Sequence, residues 1–201
     1  MKWSELKSDE EIQKAADALR RNNIDAIVVE DAAAAKDALI SLSSGSNDIF
    51  DASSVTLTQI GFREWLKTSG KRVISDHIRS INDETERKRA RREKVYADLA
   101  VGSAHALTLD GKIVVASASG SQIPAYAFSA EKVALVVGAQ KIVKNVDEAF
   151  ERIKEYVVPL EDKRMREARG MGTHWSKTLI FNGEAARGRI TVVIVKKSLG
   201  F

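Results

Sequence analysis

One pattern restricts the fold more than any other. In the first third of the chain, short apolar runs alternate with segments that have the periodicity of helices. Residues 25–30, 47–50 and 71–75 have the apolar composition of buried strands. Helices begin at the capping box Ser8–Glu11 and at Asp31, and a third helix follows the second strand. Strands and helices that alternate at this spacing predict an α/β fold with a parallel sheet flanked by helices.

The rest of the chain predicts a hairpin and further strands. Asp110-Gly111 separates two β-prone runs, 99–108 and 112–117, and both residues tolerate the positive φ angles of a tight hairpin turn. Buried strands are also predicted over 132–138, 177–182 and 189–197. The predicted fold class is α/β, a mainly parallel open sheet with an attached antiparallel hairpin. Since no repeat or linker interrupts the pattern, we expect residues 1–201 to form one domain.

The composition excludes several kinds of chemistry. The chain contains no cysteine, which rules out disulfides, thiolate catalysis and cysteine-ligated zinc or iron–sulfur clusters. The three histidines, His77, His105 and His174, are far apart in sequence, so we predict neither a metal site nor a cofactor. No apolar run has the length of a signal peptide or a membrane span. We therefore expect a soluble, cytoplasmic protein without a membrane partner.

Ser53, Ser54 and Thr56 lie between the end of a predicted strand and the start of a helix. At this edge of an open α/β sheet, unpaired backbone N–H groups and side-chain hydroxyls favour a phosphate or a carboxylate. We therefore predict that these three residues bind an anionic ligand. The alternative is that Ser53 or Ser54 only caps the helix, which is a common use of serine.

A second candidate segment, Ser119–Gln122, follows the hairpin. Ser119, Gly120 and Ser121 allow the backbone to approach a ligand closely, and the Gln122 amide can donate and accept hydrogen bonds. We predict that this segment joins the Ser53–Thr56 segment in one pocket. The alternative is a flexible connection that binds nothing.

His105 and Lys141 are the remaining candidates for the ligand site. If residues 99–108 form one strand, His105 shares a face with Leu99, Val101, Ser103 and Leu107, where a hydrogen-bonded core histidine is the alternative to a catalytic one. Lys141 follows the buried run 132–138 and either supplies a positive charge to the ligand or is solvated at the end of the strand.

Six of the eight residues from Arg87 to Lys94 are basic, a pattern that could neutralise phosphates. The segment lies in a predicted charged helix, residues 82–99, whose glutamates can pair with basic side chains at i,i+3 and i,i+4. Neither interleaved aromatic residues nor a nucleic-acid-binding motif accompanies the charges. We therefore expect a solvated helix face and no nucleic-acid partner.

Three motifs, in order, resemble the lactate-utilisation (LUD) domain family from about Ile24 to the C-terminus. Residues 54–61 are similar to the family's S-x-T-L-x-x-I-G, residues 102–111 to its hairpin motif ending A-x-T-x-D-G, and residues 132–143 to K-V-x-x-V-V-G-x-x-K-I-V. Where many relatives have Gly-Asn-Arg after the hairpin, this chain has Gly120-Ser121-Gln122 and lacks that positive charge.

The resemblance implies a fold like that of the sugar-phosphate isomerase and coenzyme A transferase superfamily, with ligands at the carboxyl ends of the strands. It also implies a link to the oxidation of lactate to pyruvate, in systems where a partner protein carries iron–sulfur clusters. The first hypothesis is therefore a LUD domain protein of lactate or organic-acid utilisation that binds a small anionic metabolite, as a non-catalytic subunit or a regulator.

The alternative hypothesis is an isomerase or a transferase that acts on a phosphorylated or coenzyme A-linked small molecule. Such an enzyme needs a carboxylate or a histidine as base or nucleophile. His105, Asp98 and Asp110 are the candidates, and none has an evident partner in the sequence. The sequence therefore assigns no catalytic residue, and it leaves open whether the chain is an enzyme.

Overall fold

The structure is a computed structural model that describes residues 2–52, 54–93 and 96–201. Its strands are β1 (Asp25–Val29), β2 (Asp48–Asp51), β3 (Arg72–Val73), β4 (Ala97–Gly102), β5 (Ala106–Thr108), β6 (Ile113–Ser117), β7 (Ala130–Gly138), β8 (Ile142–Val143), β9 (Lys177–Phe181) and β10 (Ile190–Val195). Six of them form a parallel sheet in the order β1-β10-β7-β4-β2-β3. The other four form a mixed sheet in the order β8-β5-β6-β9.

The helices are α1 (Asp9–Arg21), α2 (Ala32–Leu42), α3 (Val55–Gln59), α4 (Phe62–Thr68), α5 (Ile74–Ser80), α6 (Glu84–Glu93), α7 (Val146–Arg152) and α8 (Val158–Arg169). A π-helical segment, Ile153–Val157, joins α7 to α8 in one continuous helical path, and Pro159 is the second residue of α8. The side chains of Ser8, Asp31 and Asn145 cap α1, α2 and α7 as the sequence predicts. These caps fix where the helices begin.

The predicted fold class is confirmed. The apolar runs around residues 25–30, 47–50 and 132–138 form β1, β2 and β7 of the parallel sheet, with β10 between β1 and β7 and β4 between β7 and β2. The Asp110-Gly111 hairpin joins β5 to β6, with Gly111 at φ 84°. The last predicted strand, around residues 189–197, inserts between β1 and β7 and thereby joins the two ends of the chain in one sheet.

The core is layered. Helices α2, α3 and α4 cover one face of the parallel sheet, with Leu39, Leu57 and Phe62 in their shared apolar cluster. The other face packs against α1 and the mixed sheet, and Leu19, Leu107 and Leu135 are fully buried in the cluster between them. The far face of the mixed sheet packs against α7 and its π-helical extension, whose apolar side chains include Ala149, Ile153 and Val157.

One prediction about the chain path is wrong. Residues 99–108 do not form a single strand, because β4 ends at Gly102 in the parallel sheet and β5 begins at Ala106 in the mixed sheet. Residues 97–102 find parallel partners in β2 and β7, whereas 106–108 pair with β6 and β8. Ser103 and His105 therefore lie in the crossing between the sheets rather than on one face of a strand.

Three other elements differ from their predicted extents. The helix predicted after the second strand is divided at Gly61, whose φ of 74° ends the helical path after α3 and starts α4. The strand predicted over 71–75 pairs only at Arg72 and Val73, because the chain turns into α5 at Ile74. Of the helix predicted over 82–99, the described residues show α6, and the residues from Ala97 onward join the parallel sheet instead.

On α6, Lys88 pairs with Glu84 at i,i+4, and Arg87 donates to the Ile81 carbonyl. Lys94 of the basic segment lies outside the described residues, and the absence of a nucleic-acid partner stays a prediction. Within the described ranges, each helix is too short or too polar to cross a lipid bilayer.

Candidate functional site

The carboxyl edge of the parallel sheet brings three polar side chains into contact. Thr56 follows β2, Ser103 follows β4 and Lys141 follows β7, and these strands end at the same edge. The Lys141 Nζ donates to Thr56 Oγ1 at 3.2 Å and to Ser103 Oγ at 3.1 Å. The Thr56 hydroxyl in turn donates to Ser103 Oγ at 3.3 Å, and Ser103 donates to the Ala104 carbonyl. The residues form one connected hydrogen-bond network around an amine.

Lys141 is buried, with 2% of its surface exposed. Burial lowers the pKa of its ammonium from 10.5 to about 7, and the positive charge of Arg152 acts in the same direction. Its hydrogen-bond partners are hydroxyls, which do not neutralise its charge. Near pH 7 the amine is therefore divided between its charged and uncharged forms.

Arg152, the last residue of α7, brings a second cation to the same region. Its guanidinium is fully buried, and Nη1 donates to the His105 carbonyl at 2.7 Å. The Nε and Nη2 groups are buried without a hydrogen-bond partner in the structure. The ring of Tyr156 lies 5.4 Å from the guanidinium carbon. Burial lowers the pKa of Arg152 to about 10, so it keeps its charge at neutral pH.

The imidazole of His105 lies between the network and the mixed sheet. Its Nδ1 accepts a hydrogen bond from the Ala116 backbone N–H at 3.0 Å, which assigns the proton of the neutral ring to Nε2. Burial lowers the pKa of His105 to about 3, assisted by the charges of Lys141 and Arg152. The ring is uncharged at neutral pH and hydrogen-bonded, the residue is half-buried, and its part in ligand binding stays a prediction.

The segment that follows β10 covers the network. The backbone N–H of Gly200 donates to Gln59 Oε1 at 2.6 Å, and Gln140 Nε2 donates to the Leu199 carbonyl at 2.9 Å. A Cβ on Gly200 would lie 2.4 Å from Thr56 Oγ1 and 3.0 Å from Lys141 Nζ. Gly200 also has a φ of 61°. Only glycine fits this approach, and the backbone there closes directly over the hydroxyls and the amine.

Tyr126 supports the network from its other side. Its hydroxyl lies against Gly102, where an added Cβ would be 1.6 Å from the Tyr126 oxygen. Burial raises the pKa of this phenol, and the negative charge of Asp51 raises it further. Asp51 itself is buried and accepts a hydrogen bond from Arg63 Nε at 2.8 Å. The phenol is therefore a neutral, fixed group behind Ser103.

The other predicted ligand residues have different surroundings. Ser53 lies outside the described residues, and Ser54 occupies the N-cap position of the five-residue helix α3 without a side-chain capping bond. In the segment after the hairpin, Ser119 and Ser121 are not buried. The Gly120 N–H donates to Ser117 Oγ, and the Gln122 amide bonds to Ser117 and to the Ala116 carbonyl. These bonds fold the loop on itself, and its common pocket with Thr56 stays a prediction.

Two carboxylates considered as bases lie elsewhere. Asp98, near the start of β4, accepts from the backbone N–H groups of Asn47 and Asp48 at the opposite edge of the sheet. Asp110 lies in the hairpin turn and pairs with Lys112. The described side chains also include no group of three His, Asp or Glu that could hold a metal ion.

A surface cavity of about 650 Å³ opens at the amino ends of β1 and β10, with Arg20, Asp25, Arg187 and Thr191 in its lining. Its position is opposite the edge that ligands of open α/β sheets occupy. It contains none of the groups of the network. We therefore assign the candidate site to the buried carboxyl-edge cluster.

Sequence reasoning missed Arg152, Ser103 and Gly200. The sequence does contain a signal for Arg152. Counted from Ala149, the residues at three, four and seven positions further on share one face of the helix, and they are Arg152, Ile153 and Tyr156. The other members of this face are apolar and packed in the core. A charged residue on such a face is either paired or functional. Ser103 was hidden by the prediction of a single strand. No local pattern identifies Gly200, whose role depends on a contact with residues far away in the chain.

The comparisons agree with this architecture. The family model of the LUD domain matches residues 12–200. Among solved structures, the chain is similar to a DUF162 family protein from Deinococcus radiodurans, with a TM-score of 0.58 and 17% sequence identity, over 95% of this chain and 99% of that one. That likeness shows the fold alone. No curated protein matches the sequence. Because the family model spans nearly the whole chain, this protein belongs to the LUD domain family, which is associated in general with lactate utilisation.

Proposed function

We propose that the chain binds a small organic anion between Lys141 and Arg152, in the service of lactate or related organic-acid utilisation. The ligand's carboxylate would lie on the guanidinium, and the hydroxyls of Thr56 and Ser103 would bond its other oxygens. The role is that of a binding subunit or regulator. The chain has no thiolate of its own, so electron transfer through iron–sulfur clusters would require a partner protein that carries them.

The observation that carries this proposal is the pair of unsatisfied N–H groups on Arg152. Nε–H and Nη2–H form one edge of the guanidinium, the edge that binds both oxygens of a carboxylate. Both are buried and have no hydrogen-bond partner among the described residues, while Nη1 is occupied by the His105 carbonyl. Buried polar groups are nearly always bonded in native proteins. A carboxylate on this edge would satisfy both donors at once.

The balance of charge supports the same conclusion. Lys141 and Arg152 are close enough for the charge of one to lower the pKa of the other. Among the residues that the structure describes, neither forms an ion pair, although exposed cations such as Lys88 and Arg166 do. The buried charge of Arg152, together with the part of the Lys141 population that stays charged, opposes folding in the absence of a counter-ion, typically by several kcal/mol. An anionic ligand would relieve that cost, which is a thermodynamic reason for it to bind.

The alternative, an isomerase or transferase of phosphorylated or coenzyme A-linked substrates, has less support. Such chemistry requires a base or a nucleophile, and the carboxylates of Asp98 and Asp110 are committed to other contacts. His105 is a weak base, because its pKa is about 3, and its unprotonated Nδ1 is occupied by the Ala116 N–H. The closed geometry around Gly200 also favours a ligand smaller than coenzyme A.

Thermal unfolding with a panel of anions tests the proposal. Lactate, pyruvate, sugar phosphates, nucleotides and coenzyme A would be compared at equal ionic strength, with sodium chloride as the reference. A ligand present at 100 times its dissociation constant adds about 2.7 kcal/mol to the free energy of unfolding. We expect stabilisation by small carboxylates and none by nucleotides or coenzyme A.

Matched variants identify the site. Arg152→Met should abolish the stabilisation, whereas Arg169→Met, on the exposed end of the same helical segment, should leave it unchanged. Stabilisation that survives in Arg152→Met, or that is found only with phosphorylated or coenzyme A-linked ligands, contradicts the proposal and favours the alternative.

A further inference from the structure

We propose that Lys141 forms an imine with the carbonyl carbon of a small 2-oxo acid whose carboxylate lies on Arg152. The inference rests on the proposed function, because it uses the same anion site, and it adds a covalent step and a substrate class. Three features support it: the hydrogen bonds of Nζ, the position of the guanidinium and the groups that could carry protons.

The hydrogen bonds of the amine leave its lone pair unused. An uncharged amine has two hydrogens and one lone pair. Nζ donates to Thr56 Oγ1 and to Ser103 Oγ, which uses both hydrogens. The lone pair is then left over, directed away from both hydroxyls. Among the described residues, no carboxylate pairs with Lys141 to hold it in the ammonium form.

The neighbouring cation favours the reactive form of the amine. A positive charge close to a desolvated lysine stabilises its uncharged, nucleophilic form relative to the ammonium. Burial and the charge of Arg152 together lower the pKa of Lys141 to about 7. This agrees with the two hydrogen bonds that Nζ donates, since an uncharged amine has two hydrogens. The same Arg152 offers the free Nε–Nη2 edge to a carboxylate. One residue therefore lowers the pKa of the free amine and offers an anchor for the acid group.

The two positions together define the ligand. The guanidinium takes a carboxylate, and the amine takes an electrophilic carbonyl carbon. Since Nζ bonds to Ser103 and the guanidinium bonds to the His105 carbonyl two residues further along the same crossing, the carbonyl must be close to the carboxylate within a small molecule. A 2-oxo acid, in which the two groups are adjacent, meets these conditions. A 2-hydroxy acid could bind to Arg152 but could not react.

The step balances without a further reactant. The Nζ lone pair attacks the carbonyl carbon, and the carbonyl oxygen takes up a proton to give a carbinolamine. The nitrogen then loses its protons as the hydroxyl leaves as water, and the C=N bond forms. Thr56 and Ser103 both lie within hydrogen-bond distance of Nζ, and their hydroxyls can relay these protons. Nothing is oxidised or reduced, and water reverses the step.

Access requires one local movement. Gly200 covers the amine through its backbone, and this segment is held by its bond to the exposed side chain of Gln59 and by the Gln140–Leu199 bond. Displacing residues 199–201 would open the site. It would also remove Leu199 from the apolar cluster that it shares with Val193 and Val195, but the strand pairing of β10, which ends at Val195, would stay intact. A ligand that enters there meets Thr56 and Lys141 first.

Reductive trapping tests the inference. The full chain would be incubated with pyruvate and cyanoborohydride, and the products identified by intact mass and peptide mapping. We expect one adduct, with the mass of pyruvic acid less one oxygen atom, on the peptide that contains Lys141. Trapping there should be at least about tenfold faster than at exposed lysines, because their ordinary pKa of about 10.4 leaves little free amine at neutral pH.

The rate of trapping should also rise with pH to a plateau, with a midpoint near the pKa of Lys141, about 7. The charged or titratable groups that face Nζ are Arg152 from α7 and His105 from the crossing after β4. Arg152 keeps its charge and His105 stays neutral over this range. The midpoint therefore reports Lys141 itself.

Variants and a competitor make the result decisive. Lys141→Met should lose the adduct, whereas Lys144→Met, an exposed lysine three residues away, should keep it. Lactate should slow trapping in the unaltered chain by competing for Arg152, which tests the site even if Lys141→Met does not fold. Equal labelling of many lysines, or labelling unaffected by lactate, would overturn the inference.

The outcomes separate the two proposals. If small carboxylates stabilise the protein and Arg152→Met removes that effect, but no adduct forms at Lys141, the imine is excluded while anion binding stands. If there is neither stabilisation nor an adduct, both proposals fail.

Discussion

Lys141 and Arg152 illustrate how the site depends on single buried residues that have no carboxylate partner among the described residues. Each is buried, each has its pKa lowered chiefly by burial, and neither forms an ion pair among the described residues. His105, close to both, stays neutral for the same reason. Burial of unpaired titratable groups is costly and is characteristic of functional sites rather than of core packing.

The lowered pKa of Lys141 predicts a pH dependence of stability. Between about pH 7 and 10.5 the unfolded chain binds a proton at this residue that the folded chain does not. The free energy of unfolding should therefore rise with pH across this window, by at most about 1.4 kcal/mol per pH unit. Urea denaturation of the unaltered chain and of Lys141→Met over this range measures the effect. A difference between the two that is independent of pH would contradict the prediction.

His105 predicts a second pH range in which stability changes, below the range that belongs to Lys141. Its pKa falls from 6.5 in the unfolded chain to about 3 in the folded one, so the unfolded state binds the additional proton between these values. Stability should fall as the pH decreases from about 6.5, and urea denaturation should show that this loss persists in Lys141→Met. The two groups act in separate ranges, which allows their contributions to be distinguished.

At the scale of elements, the site exists because the chain changes sheets after β4. Gly102 ends β4 in the parallel sheet, and after a crossing of three residues β5 begins in the mixed sheet. The crossing presents Ser103 to Lys141 and presents the His105 carbonyl to Arg152. It is fixed by Tyr126, whose hydroxyl occupies the space beside Gly102. The close contact explains why this position is a glycine.

Gly102→Ala should destabilise the protein by about 2 kcal/mol, since the new Cβ would overlap the Tyr126 hydroxyl. Tyr126→Phe, combined with Gly102→Ala, should recover part of this loss because it removes the overlapping oxygen. Gly45→Ala is the control, since no atom lies within 4 Å of its added Cβ. Chemical denaturation measures all three. If Gly102→Ala costs no more than Gly45→Ala, the phenol does not occupy the position described.

At the scale of the whole molecule, the two sheets share an apolar cluster. Residues of β4, β7 and β10 pack against residues of β5, β6 and β9 and against α1. The chain also passes repeatedly between the sheets, since β10 returns to the parallel sheet after β9 has joined the mixed one. Shared packing and interlaced connections favour one cooperative unit, and the one-domain prediction can be tested on that basis.

Tryptophans on opposite sides of the molecule allow this test. Trp65 packs with the α2–α4 layer, while Trp3 packs behind the mixed sheet. Two variants, each retaining one of these residues and with the remaining tryptophans replaced by Phe, should each show fluorescence and far-UV circular dichroism transitions with the same midpoint. A fluorescence midpoint that departs from the circular dichroism midpoint in either variant would indicate two separately unfolding units.

The sequence by itself determined the elements whose signals are local. Apolar runs of strand length, capping residues such as Asp31 and Asn145, and the Asp110-Gly111 turn each specify a structure through neighbours a few residues away. Parallel pairing follows from their alternation, and the family motifs follow from the order of residues. Thr56, His105 and Lys141 could be named as candidates for the same reason, because each stands beside a predicted strand or a family motif.

Only the tertiary structure decided how those candidates are connected. Gly102 and Ser103 weaken the strand pattern of the run 99–108, but they do not show that the chain changes sheets there, which depends on which partners each half finds. Arg152 and Gly200 approach the amine from chain positions far from Thr56. Burial, which sets the pKa values of Lys141 and His105, is a property of the packed whole. The sequence therefore specified the polar groups, and long-range packing determined which of them meet and which remain without a partner.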